Sequence, residues 1–302
     1  MAGMSLALAM LIANPVILGT TPAPIVGADE AGVDIVQGAA DAHARMTVNV
    51  AIHGIGPYRF LIDTGSQRTV VSTALAGTLG LVQGPQVRVM GIAGVHNVAT
   101  AQVESIDIGP RSFYDLTVPL LEGGNMGADG ILGTDSLQHE RVLLDFARNT
   151  IQIGSARELG GRQGFEIVVQ AKRKSGRLIL TNATIDGVRV DVVIDTGASG
   201  SVGNLALQRA LAHKARPRAM LRGTLSSVTG HDLPVELGMA NKLELNGIAV
   251  TNVLVAYADA PAFGELKLNK RPAIFLGMRE LRAFKRVAID FSTHKVLLDI
   301  GR

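Results

Sequence analysis

The 302-residue sequence predicts an all-β protein of two similar lobes, and three observations predict it. Apolar residues make up 47% and aromatic ones only 4%, with 35 glycines among frequent Val, Ile and Thr, a composition suited to short strands and tight turns. One phrase occurs twice, as Phe60-Leu61-Ile62-Asp63-Thr64-Gly65-Ser66 and Val192-Val193-Ile194-Asp195-Thr196-Gly197-Ala198, offset by 132 residues. Two further matches follow in the same order: Ile131-Leu132-Gly133 with Phe275-Leu276-Gly277, and Arg141-Val142-Leu143-Leu144-Asp145-Phe146 with Arg286-Val287-Ala288-Ile289-Asp290-Phe291. Chance does not order three matches this way, so the chain is read as a tandem repeat.

The elements follow from the amino terminus. Residues 1–40 are expected to be an apolar leader and linker, since the first nineteen carry no charged side chain and a Thr/Pro/Ala-rich stretch follows. An export signal and a membrane anchor both fit that length, and Pro15 favours the cleavable signal. No Lys or Arg precedes Arg45, so the basic start of an export signal is missing, and an apolar arm folded onto the body stays open as the alternative.

Residues 41–159 and 160–302 are expected to be the two lobes, with Gly160-Gly161-Arg162-Gln163-Gly164 as the linker between them. Each begins with a strand, a glycine turn and a returning strand that ends at Asp63 or Asp195, and Asp186-Gly187 is a strong hairpin signal. Short helices are expected after each Asp-Thr-Gly, over Thr73 to Leu81 and Leu205 to Ala212, and after each Leu-Gly. Between Asp-Thr-Gly and Leu-Gly the second lobe is longer by about twelve residues, placed in loops around Pro217 and from Tyr257 to Pro272. Everything else reads as strand and turn.

A carboxylate at the end of an apolar strand, followed at once by Thr-Gly, suits an acid held for chemistry by a tight loop. A single copy would more readily be an Asx turn; duplication in register favours two acids that meet. Thr64 and Thr196 can then tie the loops together through hydroxyl-to-backbone bonds, and Gly65 and Gly197 allow their close approach. Ser66 has a hydroxyl able to donate to Asp63, whereas Ala198 has none, so Asp63 is expected to be the ionised acid and Asp195 the proton donor.

With these residues in place, the chain resembles the retropepsin-like aspartic proteases over residues 43 to 302. The resemblance implies two closed β lobes related by a pseudo-dyad, with Leu132-Gly133 and Leu276-Gly277 behind the acidic loops. It implies hydrolysis of an extended polypeptide by water activated between Asp63 and Asp195, with no cofactor, no metal and no covalent intermediate. Chemically, one acid takes a proton from water while the other supplies one to the scissile carbonyl, and two close carboxyls share that proton. The resemblance is to bacterial exported proteins of this tandem type, which places the protein in the periplasm, touching a membrane only through an anchor. A complete dyad per chain leaves no catalytic need for dimerisation, so a monomer is expected. Two segments, Val89 to His96 and Leu225 to His231, suit flap hairpins, with Ile92, Ala93, Gly94, Val228, Thr229 and Gly230 as substrate-contacting residues; surface hairpins away from substrate are the alternative. The flap tyrosine of pepsin is missing, the only tyrosines being Tyr58, Tyr114 and Tyr257.

Other functions have less support. The formal charge of +3 is scattered, which argues against nucleic acid, and the absence of cysteine excludes thiol nucleophiles and cysteine-ligated zinc. The seven histidines show no paired ligand spacing, and the glycine-rich stretches lack the ending of a phosphate loop. Ser199 and Ser201 do not sit in a nucleophile elbow, and Lys172-Arg173-Lys174 reads as a solvated hairpin. The rival to hydrolysis is a non-catalytic peptide-binding protein that keeps the cleft; a processing subunit for a membrane-tethered partner would still hydrolyse.

Overall fold

The structure is a computed structural model that describes residues 35–37, 39–40, 45–214 and 220–301. The expected leader and the loop around Pro217 therefore lie mostly or wholly outside the described residues. The architecture is mostly β, with two repeated lobes. In the first, the strand order is Ala39–Ala40, Met46–Ile52, Ile55–Ile62, Gly130–Leu132, Val70–Ser72, Arg111–Leu121, Gly94–Ile108 and Gln83–Gly91. In the second it is Lys172–Lys174, Arg177–Ile185, Val188–Ile194, Ala273–Leu276, Ser201–Asn204, Ile248–Ala258, Asp232–Leu245 and Leu221–Ser226. The two orders correspond strand for strand. Each sheet curls on itself, Met46–Ile52 pairing with Gly94–Ile108 and Arg177–Ile185 with Asp232–Leu245.

Local chemistry explains the hairpins that open each lobe. Asp186 and Gly187 both adopt positive φ (46° and 74°), as a two-residue turn between twisted strands requires, and His53 and Gly54 do the same in the first lobe (51° and 72°). The returning strands carry buried Phe60, Leu61, Ile62 and Val192, Val193, Ile194 into the core and stop at the acids. There each runs parallel to the strand before a Leu-Gly, with Ile62 opposite Leu132 and Ile194 opposite Leu276.

The Arg-Val-x-x-Asp repeat joins the lobes. Arg141–Asp145 pairs antiparallel with Arg286–Asp290 at the centre of a six-stranded sheet, Leu143 opposite Ala288, so the pseudo-dyad passes between them. The full order is Ile35–Gln37, Thr150–Gly154, Arg141–Asp145, Arg286–Asp290, Lys295–Asp299 and Ile167–Gln170. Among the described residues strand pairing thus includes Ile35–Gln37, inside the segment read as leader and linker, because the edge of this sheet offers it a partner. Arg141 and Asp290, both buried, form an ion pair of 2.7 Å across the dyad.

Helices occur where the motifs place them. Thr73–Thr78 starts with the Ser72 hydroxyl accepting from the Leu75 N–H, and Leu205–Lys214 with Asn204 accepting from the Leu207 N–H. Thr134–Leu137 and Met278–Leu281 follow the Leu-Gly pairs. Two short helices correct the strand-and-turn reading, Gly123–Met126 and Pro261–Glu265, the latter inside the loop inserted in the second lobe with Pro at its first turn, where no N–H is needed. The glycine-rich linker is also firmer than a tether: Leu159 packs on Leu143, Ala288 and Leu297 of the six-stranded sheet, and Arg141 and Arg286 donate to the carbonyls of Gly161 and Gly164.

Candidate active site

The two Asp-Thr-Gly loops meet at the pseudo-dyad. Thr64 donates its hydroxyl to the Ile194 carbonyl (2.9 Å) and Thr196 donates to that of Ile62 (2.6 Å). Each threonine N–H in turn donates to the other hydroxyl, at 3.1 and 3.3 Å. Both side chains are buried, so the four bonds form a dry clamp between loops 132 residues apart. Behind them the N–H of Asp63 donates to Leu132 and that of Asp195 to Leu276, both at 3.0 Å. Gly133 and Gly277 lie against the backbone of Arg68 and Gly200, too close for any side chain.

Each acid faces the opposite loop's glycine. A Cβ on Gly65 would stand 2.6 Å from the Asp195 carboxyl carbon, and one on Gly197 would overlap the carboxyl of Asp63. Asp63 Oδ1 accepts from the N–H groups of Gly65 (2.8 Å) and Ser66 (3.0 Å); Asp195 Oδ1 accepts from those of Gly197 and Ala198, both at 3.1 Å. The expected Ser66 hydroxyl bond to Asp63 is not made: that hydroxyl donates to the Arg68 carbonyl at 2.8 Å. The position's contribution to the acid is a backbone N–H, which Ala198 supplies equally, so Ser66 does not distinguish the two acids.

Burial raises the pKa of both carboxyls above the ordinary value, and Asp195, pressed further by the charge of Asp63, reaches about 8. The positive charge of Arg177 and the backbone donors pull in the opposite direction without prevailing. Both carboxyls are thus biased toward their neutral form, and the charge of Asp63 opposes ionisation of Asp195.

Two arginines that motif reasoning missed complete the loops. Arg45 donates to the Gly197 carbonyl (3.5 Å) and to that of Met126 (2.5 Å), and Arg177 donates to the Gly65 carbonyl (2.5 Å), each reaching into the other lobe. Arg177 also lies 3.4 Å from Glu265, which accepts a bond from Gln67 (2.5 Å) across the cleft. The signal was present: Arg45 and Arg177 stand at the same offset as the acids.

A cleft of about 780 Å³ opens over the carboxyls. Its roof is two hairpins, one turning at Ile92-Ala93 between Gly91 and Gly94, the other over Ser227–His231. Each tip crosses to the opposite lobe. Ile92 packs with Val202, Phe263 and Phe275, whereas Val228 packs with Val70, Leu121 and Ile131. The tips touch where Gly91 faces Ser227 and where the rings of His96 and His231 stack at 3.6 Å, tilted by 12°. Of the six expected flap residues, Ile92, Val228 and Thr229 line the cleft; Ala93 and Gly230 lie in the turns and Gly94 opens the returning strand, none of the three in the lining. No cluster of three metal-ligating side chains occurs among the described residues.

Comparison with known proteins agrees with this geometry. Residues 48–136 and 181–279, together more than half of the chain, match a family described as aspartyl protease. DNA damage-inducible protein 1 of Kluyveromyces lactis is 26% identical over 230 residues, which cover 73% of this chain and 52% of that protein. Protein DNA-DAMAGE INDUCIBLE 1 of Arabidopsis thaliana is 28% identical over 113 residues, 35% of this chain and 26% of that protein. The chain thus matches about half the length of the first relative and about a quarter of the second.

Proposed function

The chain belongs to the aspartyl protease family, and from that premise we propose that it is an aspartic endopeptidase whose Asp63/Asp195 dyad hydrolyses peptide bonds of an extended polypeptide. The observation that carries the reading is the meeting of two half-buried, hydrogen-bonded carboxyls at the floor of a roofed cleft. Asp63 acts as the ionised base and takes a proton from a water molecule held between the acids; Asp195 donates its proton to the scissile carbonyl oxygen. The hydroxide oxygen bonds to the carbonyl carbon. Collapse of the tetrahedral species then breaks the C–N bond, the amine leaving with a proton returned through the dyad. The assignment of roles rests on the charge of Asp63, which opposes ionisation of Asp195, and not on Ser66.

The roof would serve as the strand-pairing surface for substrate, because edge backbone groups of a hairpin can hydrogen-bond an extended peptide. One chain holds both acids, so it would work as a monomer. Export to a bacterial periplasm, with residues 1–40 as signal or anchor, belongs to the same proposal; among the described residues no helix is long and apolar enough to cross a membrane. Reporter fusions to residues 1–40 test the export.

A peptide-library digest read by mass spectrometry, with wild type, Asp63→Asn and Asp195→Asn side by side, tests the chemistry. Cleavage by the wild type that each substitution reduces at least about a thousandfold is expected, since each removes a proton-transfer partner. Cleavage that survives both substitutions would refute the dyad. Peptide binding without cleavage by any of the three would favour a binding protein.

A further inference from the structure

The charges around the cleft are distributed unequally between the lobes. Arg45, Arg68, Arg88 and Arg177 line it against Asp63, Asp195 and Glu265. Arg45 is engaged by the Met126 and Gly197 carbonyls, and Arg177 by the Gly65 carbonyl and Glu265. The dyad, sharing a proton, carries one negative charge beside these two arginines. Arg68 and Arg88 remain, both exposed to the cleft and neither with a side-chain hydrogen bond or ion pair among the described residues.

Both belong to the first lobe. Arg68 follows the Asp63 loop on the floor, where its backbone is wedged against Gly133; Arg88 stands on the roof strand Gln83–Gly91, opposite Asn97. The matching floor position in the second lobe is Gly200, and the roof strand Leu221–Ser226 offers only Leu225 and Ser226 to the cleft. Around them that side presents Val202, Ala262 and Phe275. A substrate lying across the dyad would therefore meet two unpaired guanidinium groups on one side of the scissile bond and, on the other, a largely apolar wall whose Glu265 is already engaged by Arg177 and Gln67.

We propose that Arg68 and Arg88 form an acid-selective subsite, so that the enzyme prefers polypeptides with Asp or Glu on one side of the cleaved bond. This rests on the endopeptidase reading. A guanidinium fork matches a carboxylate in plane and charge, and neither arginine has a protein carboxylate to surrender first. Because both are solvated, the selectivity expected is modest, about tenfold for Glu over Gln, and it falls as salt rises.

The test uses the full chain with paired peptide libraries that differ only by Glu or Gln at each position, at low and high salt. The wild type is expected to cleave Glu peptides about tenfold faster at one position on a single side of the scissile bond; in Arg68→Gln/Arg88→Gln that ratio should approach one. Arg68→Glu/Arg88→Glu should shift the preference to Lys peptides. The ratio decides the question whatever happens to the absolute rate. Equal cleavage of Glu and Gln peptides by the wild type, or a Glu preference that persists in the double glutamine variant, would overturn the subsite. If the wild type cleaves nothing, the endopeptidase reading fails separately, and anisotropy of the same peptides, fluorescein-labelled, decides for the subsite. Tighter wild-type binding of Glu peptides that is lost in Arg68→Gln/Arg88→Gln supports it, and equal binding of Glu and Gln peptides refutes it.

Discussion

Two backbone N–H groups on Asp195 Oδ1 would by themselves hold that acid below its ordinary pKa, but burial and the facing Asp63 outweigh them and carry it to about 8. An acid whose folded pKa lies above its unfolded value contributes fully to stability only below the unfolded pKa, and that contribution is lost as pH rises toward the folded one. Wild type should therefore lose stability through this group as pH rises from about 4 toward about 8. Asp195→Asn, which keeps the accepting oxygen and cannot ionise, should melt several degrees above wild type at pH 8 and together with it near pH 4 in calorimetry. A wild type whose melting difference from Asp195→Asn does not change with pH would contradict the raised pKa. The acids, their threonines and their glycines were legible in the sequence because repetition in register marks positions that must meet. The Ser66 hydroxyl was misjudged because its nearest acceptor, the Arg68 carbonyl, depends on how the loop bends. Arg45 and Arg177 escaped notice because a lone arginine is common, even though their spacing repeats that of the acids.

The roof hairpins were visible as elements, since glycines between alternating apolar residues mark a turn between strands. Their crossing was not, because which lobe's apolar side chains receive Ile92 and Val228 is decided by packing between segments far apart in sequence. The contact between them is small: Gly91 against Ser227 and Thr229, and one pair of stacked imidazoles. His231→Ala removes the stack, and an aromatic pair contributes roughly 0.5–1.5 kcal/mol beyond its buried area. Hydrogen exchange read by mass spectrometry should accelerate about three- to tenfold over residues 91–94 and 227–231, with Phe60–Ile62 and Val192–Ile194 unchanged. Acceleration spread evenly through both lobes would mean that the stack supports the fold and not the roof. The helix Pro261–Glu265 is a related case. Its residues read as an insertion, and their helical state depends on burying Ala262 and Phe263 in a cluster assembled from distant strands.

At the scale of the whole molecule, the ion pair of Arg141 and Asp290 lies where the lobes share a sheet. Desolvation pushes the Asp290 carboxyl up, but bonds from the Thr293 N–H and from Arg141 prevail and hold it below the ordinary carboxylate range. Its stabilising contribution is thus present above that range and lost as pH falls through the depressed pKa. Arg141→Met leaves the buried acid without its cation and should cost roughly 3–5 kcal/mol in denaturant unfolding. It should also weaken the dependence of stability on acid pH; an unchanged midpoint would show that the sheet, and not the pair, binds the lobes. Two lobes, their repeat and the linker were evident from the sequence, whereas the packing of the linker was not, because five residues rich in glycine give no hint of what lies beneath them. The strands it connects, Thr150–Gly154 and Ile167–Gln170, are four places apart in the shared sheet, about 19 Å at ordinary strand spacing. The connector must cross the sheet face to join them, and Leu159 goes down onto that face on the way. A buckle laid over a seam already sewn does not make the garment one piece. Here the meeting of the two acidic loops depends on the seam, so two polypeptides that each carry one lobe should assemble the same candidate site.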